Sequence, residues 1–506
     1  MRRLLTAATV TALTAGALAA GTGVAQSATA GEEKQVKEVQ ILAINDFHGH
    51  LEPPSGSSGV VTTKDHDGTI VKVPAGGATY LATHLKSARQ GKPLTTTVAA
   101  GDLVGASPLL SAAFHDEPTV NVLGDIGLEA AAVGNHEFDK GVGELLRLQN
   151  GGCHLVDGCL GGSFDGAKFK YLAANVEDKN TNIPVLPPYW VKDFGGGVKI
   201  GFIGMTLEGT PNLVMQSGIA GLRFTDEVAT ANRYTRELRR SGVNAIVVLL
   251  HEGGVPSSEV YDYDCNANGN LGLTGPIVDI AKNVSESVDL LVTGHTHQSY
   301  ACAIPDPLGR PRMVTSAGSF GREYTDISVG YDIDKREIVR VAAQNKIVTR
   351  NVPTDPDVDK LIKELNDKIA PIANRPVGVI AGEISRGTTG KRESSMGNLI
   401  ADAQLAATSK PENGGAEVAF VNPGGIRTDL TYKSTGVETP GVVTYGDAYA
   451  VHPFNNSLVT KNMTGAQILT ILNQQITGTN SGTGVKILQV SKGFTYTLTN
   501  YTTVTD

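Results

Sequence analysis

Five short apolar runs in this chain each stop at a residue able to bind a metal, and that recurrence constrains the fold more than any other feature. Residues 39–44 run into Asp46-Phe47-His48, and residues 97–100 into Gly101-Asp102. Residues 130–133 run into Gly134-Asn135-His136-Glu137, residues 245–250 into His251, and residues 289–292 into Gly294-His295-Thr296-His297. Short apolar runs bounded by Gly and polar residues read as buried strands. Runs apolar on both faces suit a sheet covered on both sides, so the polar residues at their ends converge on one sheet edge.

The spacing has a mechanical reading. In extended chain, residues two apart point the same way, which predicts that Asp46 with His48, and His295 with His297, each face one cleft. Glycines at 101, 134 and 294 let backbone pass close to a crowded cluster. Imidazole, carboxylate and one amide oxygen suit zinc, manganese, iron or cobalt better than calcium or a thiolate metal.

In this order, Asp-x-His, Gly-Asp, Gly-Asn-His-Glu, a lone His and Gly-His-Thr-His resemble the calcineurin-like metallophosphoesterases. The run Gly134-Asn135-His136-Glu137-Phe138-Asp139 is similar to their secreted 5'-nucleotidase and UDP-sugar hydrolase branch. The resemblance implies two divalent metal ions, one held by Asp46, His48, Asp102 and His297, the other by Asp102, Asn135, His251 and His295, with Asp102 bridging. It implies that His136 is catalytic and that Asp139 orients its ring. Two such ions, two carboxylates and a bridging hydroxide leave a net charge of about +1 facing a phosphate dianion. The fold implied is α/β: an N-terminal four-layer α-β-β-α metallophosphoesterase sandwich over residues 37–350 and a C-terminal α/β substrate-binding domain. Of the eleven histidines, His50, His66, His84, His115 and His154 fit no such pattern and read as surface or loop residues, and His452 as structural.

Between the motifs, residues 76–86 and 226–241 read as helices, and residues 199–204, 312–315 and 324–329 as strands. A helical stripe of Val358, Leu361, Ile362, Leu365, Ile369 and Ile372 follows, with Asp355 placed to cap it and Pro356 at its first position. Pro371 and Pro376 are expected to interrupt this linker over 351–376.

Beyond the linker, residues 377–506 carry a second set of motifs. Arg392-Glu393-Ser394-Ser395-Met396-Gly397-Asn398, Asn422-Pro423-Gly424-Gly425-Ile426-Arg427 and His452-Pro453-Phe454-Asn455-Asn456 resemble the 5'-nucleotidase C-terminal domain. The resemblance makes Asn422, Arg427 and Arg392 polar contacts to the nucleoside and Phe454 one of two aromatics stacked on the base. The segment that supplies the second aromatic in that family is not found before Asp506, so this domain is expected to be incomplete.

The first thirty residues read as an address. Arg2-Arg3, an Ala/Leu/Thr-rich apolar stretch and Ala28-Thr29-Ala30 form a signal peptide pattern, which predicts cleavage near Ala30 and a secreted or cell-surface protein with no stable membrane span. In an exported chain the four cysteines are expected to pair as Cys153–Cys159 and Cys265–Cys302, the alternative being free buried thiols. A net charge of −8 without a Lys/Arg-rich run argues against a nucleic acid polymer as partner. The expected function is release of phosphate from nucleoside 5'-monophosphates and UDP-sugars. The alternatives are a 2',3'-cyclic nucleotide phosphodiesterase/3'-nucleotidase, or a nucleotide-binding surface protein without turnover.

Overall fold

The apolar runs form the parallel centres of two six-stranded sheets. In the computed structural model, residues 36–387, 392–432, 439–454, 456–478, 485–499 and 503–505 are described; the expected signal peptide and Asn455 lie outside them. The first sheet runs in the order Glu337–Ile347, Glu323–Asp332, Val36–Ile44, Thr95–Ala100, Ala130–Ala132, Lys170–Leu172. Its last four strands are parallel and the first two antiparallel. The second sheet runs Ser299–Pro305, Pro311–Ala317, Leu290–Thr293, Ile246–His251, Val198–Thr206, Tyr189–Gly195, with antiparallel strands only at its edges.

Side-chain alternation then builds the layers. Ile41, Ala43, Val98, Ala100, Ala130 and Ala132 of the first sheet meet Phe202, Val247, Leu249, Leu290 and Val292 of the second in a buried layer between them. The opposite registers, Leu42, Ile44, Ala99 and Ala131, face helices Ala78–Arg89, Glu117–Asp125 and Val142–Asn150. Ile203, Val248, Leu250 and Leu291 face helices Glu227–Arg240 and Pro276–Asn283. The result is the α-β-β-α sandwich.

Helix Pro356–Ala373 is capped by Asp355, whose side chain accepts from Asp357 N and Val358 N, and it packs Val358, Leu365 and Ile369 onto the first core. Pro371 does not interrupt it, contrary to expectation. It falls in the last turn, where little helix remains to be broken, and the chain leaves only at Asn374. Pro376 opens a short strand paired with Val442–Thr444. Beyond it, helix Ser395–Thr408 and its neighbours enclose a small core of Met396, Ala401, Val421, Ile426, Leu430, Val443 and Val451. Cys153–Cys159 and Cys265–Cys302 are both disulfide-bonded.

Candidate metal centre

All five motifs lie at the carboxyl ends of the parallel strands, but they leave those strands abruptly. Asp46, His48, Asp102, His295 and His297 have φ of 50°, 49°, 51°, 69° and 58°. The expected extended pairs are therefore absent: each pair shares a cleft because left-handed residues fold the chain across the sheet edge. That conformation costs a non-glycine residue roughly 1–2 kcal/mol, and the cost is offset locally. Asp46 N donates to Gly101 O, His48 N to Asp102 O and Gly49 N to Leu103 O, each at 3.0 Å.

These kinks bring the side chains together in two overlapping groups. His297 Nε2 lies 3.1 Å from His48 Nε2 and 3.3 Å from Asp46 Oδ1. Asp102 Oδ2 lies 3.7 Å from His48 Nε2 and 2.9 Å from His251 Nε2. The donor atoms of Asp46, His48 and His297 fall within 4.8 Å of one another, as do those of Asp102, His251 and His295. His48 Nδ1 meets Gly105 O at 2.8 Å and His251 Nδ1 meets Ala100 O at 2.7 Å, so those nitrogens carry protons and the Nε2 atoms turn inward.

Electrostatics favour neutral imidazoles in most of the cluster. Burial, then the Arg427 charge, holds His48 well below the usual histidine range, and burial pushes His295 down to about 3. At His251 burial acts the same way, but Asp102 outweighs it and lifts the ring to about 10. Asn135 Oδ1 and His251 Nε2 are buried without a hydrogen-bond partner, which in a native interior calls for an explanation. An N/O donor set without thiolate, containing such orphaned atoms, fits divalent zinc-, manganese- or iron-type ions.

The frame around the cluster was not legible as such. Glu137 is the clamp: Oε2 accepts from Asp102 N at 2.9 Å and Gly134 N at 2.5 Å, while Oε1 accepts from Leu103 N at 2.8 Å. Its place inside Gly-Asn-His-Glu was the available signal. Asn45 Nδ2 donates to Asp46 Oδ2 at 2.8 Å, fixing that carboxylate. Phe320, from a distant turn, packs its ring 5.3 Å from that of His297 and 4.1 Å from that of His50. His50 is thus part of the site wall rather than an ordinary surface residue, and nothing in its sequence context indicated that.

His136 stands beside the cluster with Nδ1 2.7 Å from Asp139 Oδ2. Burial opposes its charged form, but Asp102 and then Asp139 raise its pKa above the usual value. From the C-terminal part, the Phe454 ring centres 5.5 Å from that of His136, and the Arg427 guanidinium lies 5.6 Å from both Phe320 and Phe454. Arg427 Nε and Nη2 are buried and unpartnered. Asn422 is exposed and its Oδ1 accepts from Gly424 N at 3.1 Å, capping a turn. Arg392 is exposed, and among the described residues no hydrogen bond or ion pair joins its guanidinium to the cluster. Arg386, six positions earlier and not singled out by sequence, instead donates Nη1 to Ile426 O and Arg427 O at 3.2 and 3.0 Å and so supports the Arg427 loop.

Comparison with known proteins fits this geometry. The family described as calcineurin-like phosphoesterase matches residues 39–299, the stretch that holds every residue of the cluster. The chain belongs to the calcineurin-like phosphoesterases. This is a family of metal-dependent phosphoric ester hydrolases, and the present member adds a match to the 5'-nucleotidase C-terminal domain over residues 373–506. Among its relatives, the phosphoesterase is 36% identical to cell wall protein Lmo0130 of Listeria monocytogenes, over 93% of this chain and 60% of that one. It is 32% identical to endonuclease YhcR of Bacillus subtilis, over 91% of this chain and 34% of that one. The chain thus spans less than two thirds of both relatives. A 5'-nucleotidase precursor from Thermus thermophilus superposes with a TM-score of 0.68 at 25% identity, covering 90% of this chain and 81% of that one.

Proposed function

We propose that the chain is an exported dinuclear-metal phosphohydrolase that releases phosphate from nucleoside 5'-monophosphates, with UDP-sugars as further substrates. The observation that carries this reading is the pair of donor groups meeting at Asp102, with His136 beside them and fastened through Nδ1 to Asp139. In this reading Asp46, His48, Asp102 and His297 hold one ion and Asp102, Asn135, His251 and His295 the other. When bound, the two ions supply Lewis-acid activation of water and charge neutralisation.

The chain's own residues do the rest. The phosphorus–oxygen bond to the 5'-carbon side breaks as water's oxygen joins phosphorus, and the departing oxygen needs a proton. His136, its Nδ1 turned to Asp139 and its pKa raised, offers Nε2–H to that oxygen and to the phosphoryl charge. Arg427, with Nε and Nη2 lacking partners, gives the phosphate a charge-assisted contact. Phe454 offers a ring face to the base. The two disulfides support an oxidising compartment, and among the described residues no helix is long and apolar enough to cross a membrane.

The test is phosphate release by chelator-stripped protein reloaded with Mn, Zn, Co or Mg, using AMP, UDP-glucose, 2',3'-cyclic AMP and p-nitrophenyl phosphate. Release from AMP that disappears in Asp102→Ala is expected. A reloaded protein that leaves AMP intact with all four metals refutes the reading.

A further inference from the structure

Away from the centre, two histidines that sequence assigned to the surface meet face to face. His115 and His154 stack with ring centroids 3.7 Å apart and planes 11° from parallel. Asp157 Oδ2 lies 3.1 Å from His115 Nε2 and 3.3 Å from His154 Nδ1. Glu144 completes the group, its carboxylate held by Arg147 through bonds of 2.8 and 2.9 Å, and the donor atoms of His115, Glu144 and His154 lie within 4.8 Å of one another.

We propose that His115, Glu144, His154 and Asp157 form a metal site of their own, for a zinc-type divalent ion, that fastens the Cys153–Cys159 loop to the catalytic domain. Three features support a cation. His115 Nε2 is sealed from solvent and has no hydrogen-bond partner, although a carboxylate oxygen stands 3.1 Å away. The same signature marks His251 Nε2 against Asp102 in the phosphoesterase centre. Second, tetrahedral zinc with nitrogen and oxygen ligands near 2.0 Å sets donors about 3.3 Å apart, and the gap between Asp157 Oδ2 and His115 Nε2, 3.1 Å, is close to that length. Third, two imidazoles in stacking contact resist carrying a positive charge each; His154 Nδ1 accepts from Asp157 N at 3.2 Å, so the lone pair left open to a metal is that of His115 Nε2.

The backbone and the loop show why such a fastening is useful. His115 and Asp116 are consecutive non-glycine residues with φ of 54° and 64°, and Ser111 Oγ and Lys140 Nζ hold Asp116 at 2.8 and 3.3 Å. The disulfide closes the loop only on itself, six residues apart. Leu155 and Val156 at its tip are 98% and 85% exposed, so burial of those side chains does not hold it.

The experiment uses the full chain, stripped by chelator and dialysed against buffered zinc at about 1 μM, well within reach of a protein site of this kind. Zinc is counted in the wild type, His154→Ala and Asp157→Asn, and proteolytic cutting within residues 154–158 is timed with and without zinc. The wild type should carry one more equivalent of zinc than either variant, and zinc should slow the cut in the wild type alone, with phosphate release kept in all three. Because Asp157 is exposed, its variant keeps the test valid should His154→Ala fail to fold. Equal zinc content in all folded proteins overturns the proposal.

Discussion

Replacing Gly134 with alanine tests whether the ligand frame has any slack. A Cβ there would stand 2.6 Å from Asp102 N and 2.8 Å from its Cγ, and would overlap its Oδ1. Ordinary contact begins at 3.4 Å, so the two strands' ends must separate by about 0.8 Å, an amount that costs roughly 1–3 kcal/mol in a well-packed interior. Neither side can yield alone. Glu137 Oε2 grips Asp102 N and Gly134 N together, and His136 N donates to Asp102 Oδ1 at 2.9 Å. Asp102 therefore moves relative to its partners, and a displacement near 1 Å in a reacting site costs up to about 10²-fold in rate. Gly143 is the control: it is exposed in helix Val142–Asn150 with nothing near its Cβ position, and alanine there should stabilise by roughly 0.5–1 kcal/mol. Urea unfolding, bound metal and p-nitrophenyl phosphate turnover would be measured for both. Gly134→Ala with wild-type stability, metal content and turnover would show that the frame adapts, and the reasoning would fall.

Other substitutions separate the roles proposed for the site. His136→Ala should cut turnover by about 10²–10³, the range for a lost charge-stabilising donor, while metal content stays at the wild-type level; loss of metal would make it a ligand instead. Phe454→Ala should raise KM for AMP and spare p-nitrophenyl phosphate turnover, and equal loss on both substrates would remove Phe454 from base recognition. Burial pushes the Glu323 carboxyl up to about 7, and its Oε2 has no partner. The folded chain keeps that proton after the unfolded chain has released it, so the associated stability is present in acid and is lost as pH rises through about 7. Glu323→Gln should therefore gain on the wild type between about pH 5 and pH 8, by up to ~3 kcal/mol; a pH-independent difference in urea midpoints would contradict the buried-proton account.

What the sequence disclosed depended on how local the physics was. Strand runs such as 246–251 and 290–293 announce themselves because both faces are buried, and the cluster residues follow because they sit where those runs end. The conformation of the ligands was misread, because Asp46-Phe47-His48 looks extended by spacing and only the neighbouring Gly101–Leu103 backbone, distant in sequence, makes its left-handed turns affordable. Pro371 misled for a related reason: its effect depends on how much helix follows. Phe320, His50 and Arg386 were invisible since their importance lies wholly in what packs beside them. Arg427 and Phe454 were legible through motif resemblance, but their closeness to His136 was not.

The buried layer between the two sheets has a bearing on when metal can bind. Asp46, His48, Asp102 and Asn135 leave the first sheet, whereas His251, His295 and His297 leave the second, so each proposed ion draws ligands from both. A half-built sandwich owns neither ligand set whole: the first sheet alone offers three of the four ligands of one ion and two of the four of the other. Metal capture then comes after the sheets have docked and locks that docking, much as a clasp closes a book whose covers have already met. A substitution deep in the layer, touching no ligand, would surface as a loss of metal affinity once it leaves the docked form in the minority, because apparent affinity scales with the docked fraction.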